Sequence, residues 1–223
     1  MTSENEKSKY DRNIQARISK LIACSKEGTV FIFSDFADIT IPSSIRVVFA
    51  RLEKLGILRK VLPGLYERPR YSKLLAEYVA PDYLEVAHAL ARKHGWRIAP
   101  SGATALNQLR LSTQVPSKYE FVSDGPYKEY TCGRTSLKFK HTANKELAGL
   151  SEFSCMVIQS LKALGEHGIT DHTIRHLSTT LSEEEKWILL SEAKHTTSWV
   201  YEIIKKIAGK MLYNEYIESL LNR

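Results

Sequence analysis

With 223 residues, 43% of them hydrophobic, the chain can bury one large core or two ordinary ones. It has no run of eighteen apolar residues, and its first twenty residues are polar and charged rather than an apolar stretch with a cleavage site, which predicts a soluble, cytoplasmic protein with no membrane partner. The net charge of +7 is uneven: residues 1–70 hold 13 Lys/Arg against 8 Asp/Glu, an excess of +5, and residues 71–223 hold 19 against 17, an excess of +2.

Residues 1–10 read as a polar arm. Ile14, Ile18, Leu21 and Ile22 then recur at helical spacing, and Glu27-Gly28 ends that helix. Thr29 to Phe33 is a short β-rich run. Ser34 is placed to cap a second helix, with Asp35 and Asp38 favoured near its positive end. Thr40-Ile41-Pro42 breaks that helix and opens a third, because a first turn tolerates the missing N–H of proline. In the third helix Ile45, Val48, Phe49, Leu52 and Leu55 form one apolar face. Gly56 ends it, and Ile57 to Leu62 and Leu65 to Arg68 are strands joined by a Pro63-Gly64 turn. A helix, a minor strand, two helices and a basic hairpin, in this order, are the parts of a winged helix-turn-helix. Such a fold most often lays one helix in a DNA major groove.

The third helix leaves Ser43, Ser44, Arg46, Val47, Ala50, Arg51 and Lys54 facing away from the core. Its arginines suit guanine edges or phosphates, and its serines suit phosphate or base contacts near the helix start. The wing adds Arg59, Lys60, Arg68 and Arg70. The candidate DNA-binding set is therefore Ser43, Ser44, Arg46, Val47, Arg51, Lys54, Arg59, Lys60, Arg68 and Arg70. Winged domains also serve as protein-interaction modules, and hairpin charges are often only a solvated face. The basic excess of residues 1–70 favours DNA over those readings.

After Pro69-Arg70 the texture changes. Asp82 to His94 reads as a helix stopped by Gly95, with Leu84, Ala87, His88 and Ala91 near one face; Trp96 to Ala99 reads as a strand, and a small-residue helix opens at Ser101. Strands follow around Tyr119 to Ser123, Glu129 to Cys132 and Thr135 to His141, with Gly125-Pro126 and Gly133 as turn signals. Residues from Ser151 onward read as helices, with a Ser182/Glu185 capping box and an apolar stripe of Val200, Ile203, Ile204, Ile207 and Met211. The expected class is α+β: a winged helix-turn-helix over residues 1–70, then a mixed α/β domain over residues 71–223 with a helical C-terminal part.

Catalytic and metal chemistry find little support. Cys24, Cys132 and Cys155 are scattered, with no C-x-x-C pair for a disulfide framework or a zinc ribbon. His172 and His176 have helical i, i+4 spacing, but Thr173 stands where a zinc protease helix carries glutamate. Phosphate-loop, dinucleotide and serine-elbow motifs are absent. No catalytic residue, cofactor or metal is expected.

Three stretches resemble the AbiEi-like antitoxins of type IV abortive-infection toxin-antitoxin systems. They are Arg51 to Pro69, Pro100 to Pro116 with its Leu-Ser-Thr-Gln-Val-Pro run, and Tyr119 to Gly125. Together the likeness covers about residues 10 to 165. It departs at Leu106 and Gln108, where small residues are usual, and at Arg110, where glycine is usual. The resemblance implies a winged DNA-binding domain joined to an antitoxin domain. It further implies repression of the protein's own operon, through double-stranded promoter DNA with an inverted repeat, and opposition to a cognate nucleotidyltransferase-like toxin. An alternative is a winged-helix transcriptional regulator whose C-terminal domain senses a ligand or a protein partner.

Overall fold

Isoleucines at four-residue spacing, Ile14, Ile18 and Ile22, form the buried stripe of α1 (Thr2–Cys24), as their periodicity predicts. The structure is a computed structural model that describes residues 2–142, 147 and 149–221, with side chains from Asn13 onward. Two readings of α1 change: the polar arm is helical from Thr2, and Leu21 is exposed, one position off the stripe.

Strand β1 (Val30–Ile32) is fully buried. The second helix expected from Ser34 is instead one 3-10 turn, Phe33–Phe36, closed by the Asp35 carboxylate accepting from the N–H of Ile32 at 2.9 Å. Too little chain separates it from Pro42 to propagate a helix, and Ile41 is held extended by the proline that follows it. Helix α2 (Pro42–Lys54) buries Ile45, Val48, Phe49 and Leu52. Leu55, assigned by spacing to that face, is exposed at the helix end, and Leu58 is buried in the same core instead. Gly56, at φ 70°, turns the chain back, with the Gly56 N–H on the Glu53 carbonyl and the Ile57 N–H on the Leu52 carbonyl.

Strands β2 (Arg59–Leu62) and β3 (Leu65–Glu67) form the wing around Pro63-Gly64. The sheet order is β1-β3-β2, all antiparallel, with a register shift between Lys60 and Leu62. Phe49 meets Tyr66 at 5.0 Å, Phe36 at 5.4 Å and Phe33 at 5.5 Å between ring centroids, tying α2 to the sheet. A short hairpin follows, β4 (Tyr71–Ser72) and β5 (Glu77–Tyr78), and then α3 (Tyr83–His94), capped by Asp82 and by Gly95 in the left-handed region. These pieces belong to the winged unit: Arg92 donates to the Val30 carbonyl at 2.9 Å and Lys93 to the Pro63 carbonyl at 2.7 Å. The chain accordingly divides into compact units Met1–Gly95 and Trp96–Arg223, with the break 25 residues beyond the end expected at residue 70.

The second unit begins with β6 (Ile98–Pro100), α4 (Gly102–Gln108), β7 (Lys118–Ser123), β8 (Lys128–Cys132) and β9 (Thr135–His141). Its sheet runs β6-β7-β9-β8, and only the β7–β9 pair is parallel. Gly125 is fixed by packing, since a Cβ there would lie 2.4 Å from the Trp96 ring. The helices are α5 (Glu152–Leu164), α6 (Asp171–Thr180), α7 (Glu183–Glu192), α8 (Ser198–Ala208) and α9 (Lys210–Leu221). The Ser182/Glu185 capping box is present as predicted. The expected stripe is interrupted, because Gly209 at φ 84° ends α8; Met211 is exposed on α9 while Leu212 and Tyr216 enter the core.

Helix α4 ends in the same hydrogen-bond pattern as α2, with Arg110 N–H on the Asn107 carbonyl and Leu111 N–H on the Leu106 carbonyl. The left-handed position there, φ 56°, is filled by Arg110, an exposed arginine in a conformation that favours glycine. Arg110→Gly should therefore raise the stability of the protein by about 0.5–1 kcal/mol in urea unfolding, the left-handed strain relieved exceeding the added chain entropy. Gly56→Ala at the equivalent position should lower it by about 1 kcal/mol.

Candidate nucleic-acid interface

Helix α2 buries one face against Phe33, Phe36 and Tyr66, so its opposite face is committed to solvent. Ser43, Arg46, Val47, Ala50, Arg51 and Lys54 are exposed and Ser44 is half-buried. Val47 is 52% exposed, an apolar contact surface of the kind that can meet a thymine methyl group. Arg46 lies over the Phe33 ring, 5.5 Å from its centroid. Arg51 donates to the Gln15 amide oxygen of α1 at 2.7 Å. Both arginines are thus held at the surface by a neighbour within the unit. Gln15 had no marker in the sequence; only the crossing of α1 and α2 brings it to Arg51.

The four wing cations separate into two kinds. Lys60 and Arg70 are exposed. Arg59 instead donates through Nε to the Glu67 carboxylate at 3.1 Å and through Nη2 to the Val79 carbonyl at 2.8 Å. Arg68 reaches back to the end of α1, donating to the Ala23 carbonyl at 2.7 Å and to the Ser25 carbonyl, where it satisfies terminal acceptors of the helix. Arg59 and Arg68, read from sequence as wing cations for DNA, are therefore occupied inside the unit. Lys93 of α3, which the sequence reading did not single out, stands by the wing turn through its bond to Pro63.

Glu67 explains the position of Arg59. Its side chain is fully buried, and burial pushes its carboxyl above the ordinary value, partly countered by the hydrogen bond and charge of Arg59. Burial likewise raises the Tyr66 phenol, with Glu53 adding to the effect and Arg46 opposing it. Among the described residues no group of three or more His, Cys, Asp and Glu side chains is placed to hold a metal ion. The His172 and His176 rings stack at 6.4 Å, and His176 Nε2 lies 3.0 Å from the Leu109 carbonyl. Among the described residues no helix is long and apolar enough to cross a membrane.

Because the folded-state pKa of Glu67 is raised, its contribution to stability is complete below the unfolded value and is lost as pH rises through the folded value. Removing Arg59 raises that pKa further, so the damage is greatest with Glu67 ionised. Arg59→Met should cost roughly 2–3 kcal/mol at neutral pH, the low side for a broken buried pair because Arg59 is partly solvated. Denaturant unfolding across pH should show the difference from wild type shrinking as Glu67 protonates.

A search of curated proteins found no match. The chain matches the family described as "Family of unknown function (DUF6088)" over residues 17–189, a span that includes most of the winged unit and the whole four-stranded sheet. With its α2 face, wing and mixed sheet all inside that span, this protein belongs to DUF6088.

Proposed function

We propose that this protein is a DNA-binding antitoxin that represses its own operon and counteracts a nucleotidyltransferase-like toxin. The observation that carries the DNA-binding half is the solvent face of α2. Ser43, Ser44, Arg46, Val47, Arg51 and Lys54 share one surface, opened by two hydroxyls at the positive end of the helix. Lys60 of the wing, which lines one cleft with Arg46, extends the basic surface for phosphate contact, and Arg70 is a further exposed cation of the unit. The antitoxin half rests on the likeness of residues 51–69, 100–116 and 119–125 to AbiEi-like antitoxins. The mechanism is repression by occupancy, with two copies expected on an inverted repeat.

Promoter affinity measured by fluorescence anisotropy across a salt series tests the DNA half. Affinity should fall steeply with salt, and Arg46→Ala and Arg51→Ala should each flatten the slope by about one, or cost about 1–3 kcal/mol and relax specificity where the contact is to a base. Unchanged affinity and slope in both variants would remove α2 as the reading surface. For the antitoxin half, co-expression with a neighbouring nucleotidyltransferase-like reading frame should restore growth of cells that the frame alone arrests. Failure to restore growth would leave a DNA-binding regulator only.

A further inference from the structure

Between α2 and the wing lies an open cleft of about 630 Å³, within the range of small-molecule sites and much larger than a phosphate ion needs. Its uncharged walls are mostly apolar or aromatic, Ile32, Phe33, Ala50, Pro63 and Tyr66, with Ser34 and Gly64 beside them. Every charged residue lining it is a cation, and the cations come from separate elements, Arg46 from α2, Lys60 from β2 and Lys93 from α3. Two of them are already held in place, Arg46 over Phe33 and Lys93 by the Pro63 carbonyl at 2.7 Å. That bond uses one ammonium proton of Lys93 and leaves two to donate.

We infer that this cleft binds a small organic phosphate, a phosphomonoester carrying an aromatic or otherwise apolar body, and that the bound ligand excludes DNA from α2. Three cations around one opening suit a dianionic phosphate better than a carboxylate, and the guanidinium of Arg46 can engage it by two parallel bonds. The apolar walls and the volume call for a body behind the charge. Arg46 and Lys60 cannot serve the ligand and a DNA phosphate together, so occupancy lowers DNA affinity. The competition rests on the DNA-binding reading above; the site itself does not.

Calorimetric titration of the full chain with AMP, inorganic phosphate and benzoate tests the site. AMP should bind more tightly than either fragment. Lys93→Ala should weaken AMP about tenfold, the loss of one charge-assisted bond, and Arg46→Ala at least as much, since it removes two. Ala50→Trp, which fills the cleft from an exposed helix position, should abolish AMP binding, whereas Lys128→Ala in the second unit should leave it unchanged. AMP should also displace promoter DNA. The proposal is overturned if AMP fails to saturate, if inorganic phosphate binds as well as AMP, if Ala50→Trp still binds AMP, or if bound AMP leaves DNA affinity unaltered. DNA binding without AMP binding would sink this inference and spare the proposed function. AMP binding at the cleft by a chain that binds no DNA would keep the ligand site and overturn both the competition and the proposed function.

Discussion

The packing of Phe49 into the rings of Phe33, Phe36 and Tyr66 sets the orientation of α2, and everything exposed on the winged unit follows from it. Three ring contacts of 5.0–5.5 Å converge on this side chain, which has no solvent exposure. Such contacts add roughly 0.5–1.5 kcal/mol per pair beyond the area they bury. Since the helix is locked in rotation, Arg46, Val47, Arg51 and Lys54 have no choice but the opposite face. The aromatic contact and the exposed basic surface are two sides of one constraint.

Charge in the winged unit is divided by burial. Glu67 lies at zero exposure in the central strand of the sheet, where an unpaired carboxylate would be costly, so Arg59 must turn inward. The carbonyls at the end of α1 impose the same duty on Arg68. Arg46, Lys54, Lys60 and Arg70 carry no such obligation, and theirs is the charge left to meet an external anion. Lys93 joins them because its bond to the wing turn aims it without neutralising it.

The second unit is organised differently. One parallel pairing, β7 with β9, puts β8 at the sheet edge, and Gly133, at φ 60°, lets the chain reverse from β8 into β9. The C-terminal helices make a separate apolar cluster around Leu161, Leu177, Leu189 and Ile204. Glu192 at the end of α7 accepts from the N–H and hydroxyl of Ser151, joining two helices of that layer. Burial would raise its carboxyl, but the hydrogen bonds from Ser154 and Ser151 prevail and lower it.

Much of the architecture was legible because it is local. Helical spacing marked Ile45, Val48, Phe49 and Leu52; β-rich runs and turn residues marked the strands of the three- and four-stranded sheets, though not the β4–β5 hairpin; and the Ser182/Glu185 box marked the start of α7. Where periodicity was extended past a helix end it misled, as at Leu55 beyond α2 and Met211 beyond Gly209. The division of the wing cations was not legible at all, for a partner decides it: Arg59 and Lys60 are neighbours in sequence, yet one faces a buried carboxylate and the other solvent. Arg68 finds its acceptors more than forty residues away, and Arg51 finds Gln15 36 residues away. Hydrophobic pattern and turn chemistry, which act between neighbours along the chain, determined the elements and the outward face of α2. Which cations remain free, and the cleft that three of them share, were decided only when burial of Glu67 and docking of α3 brought distant parts of the chain together.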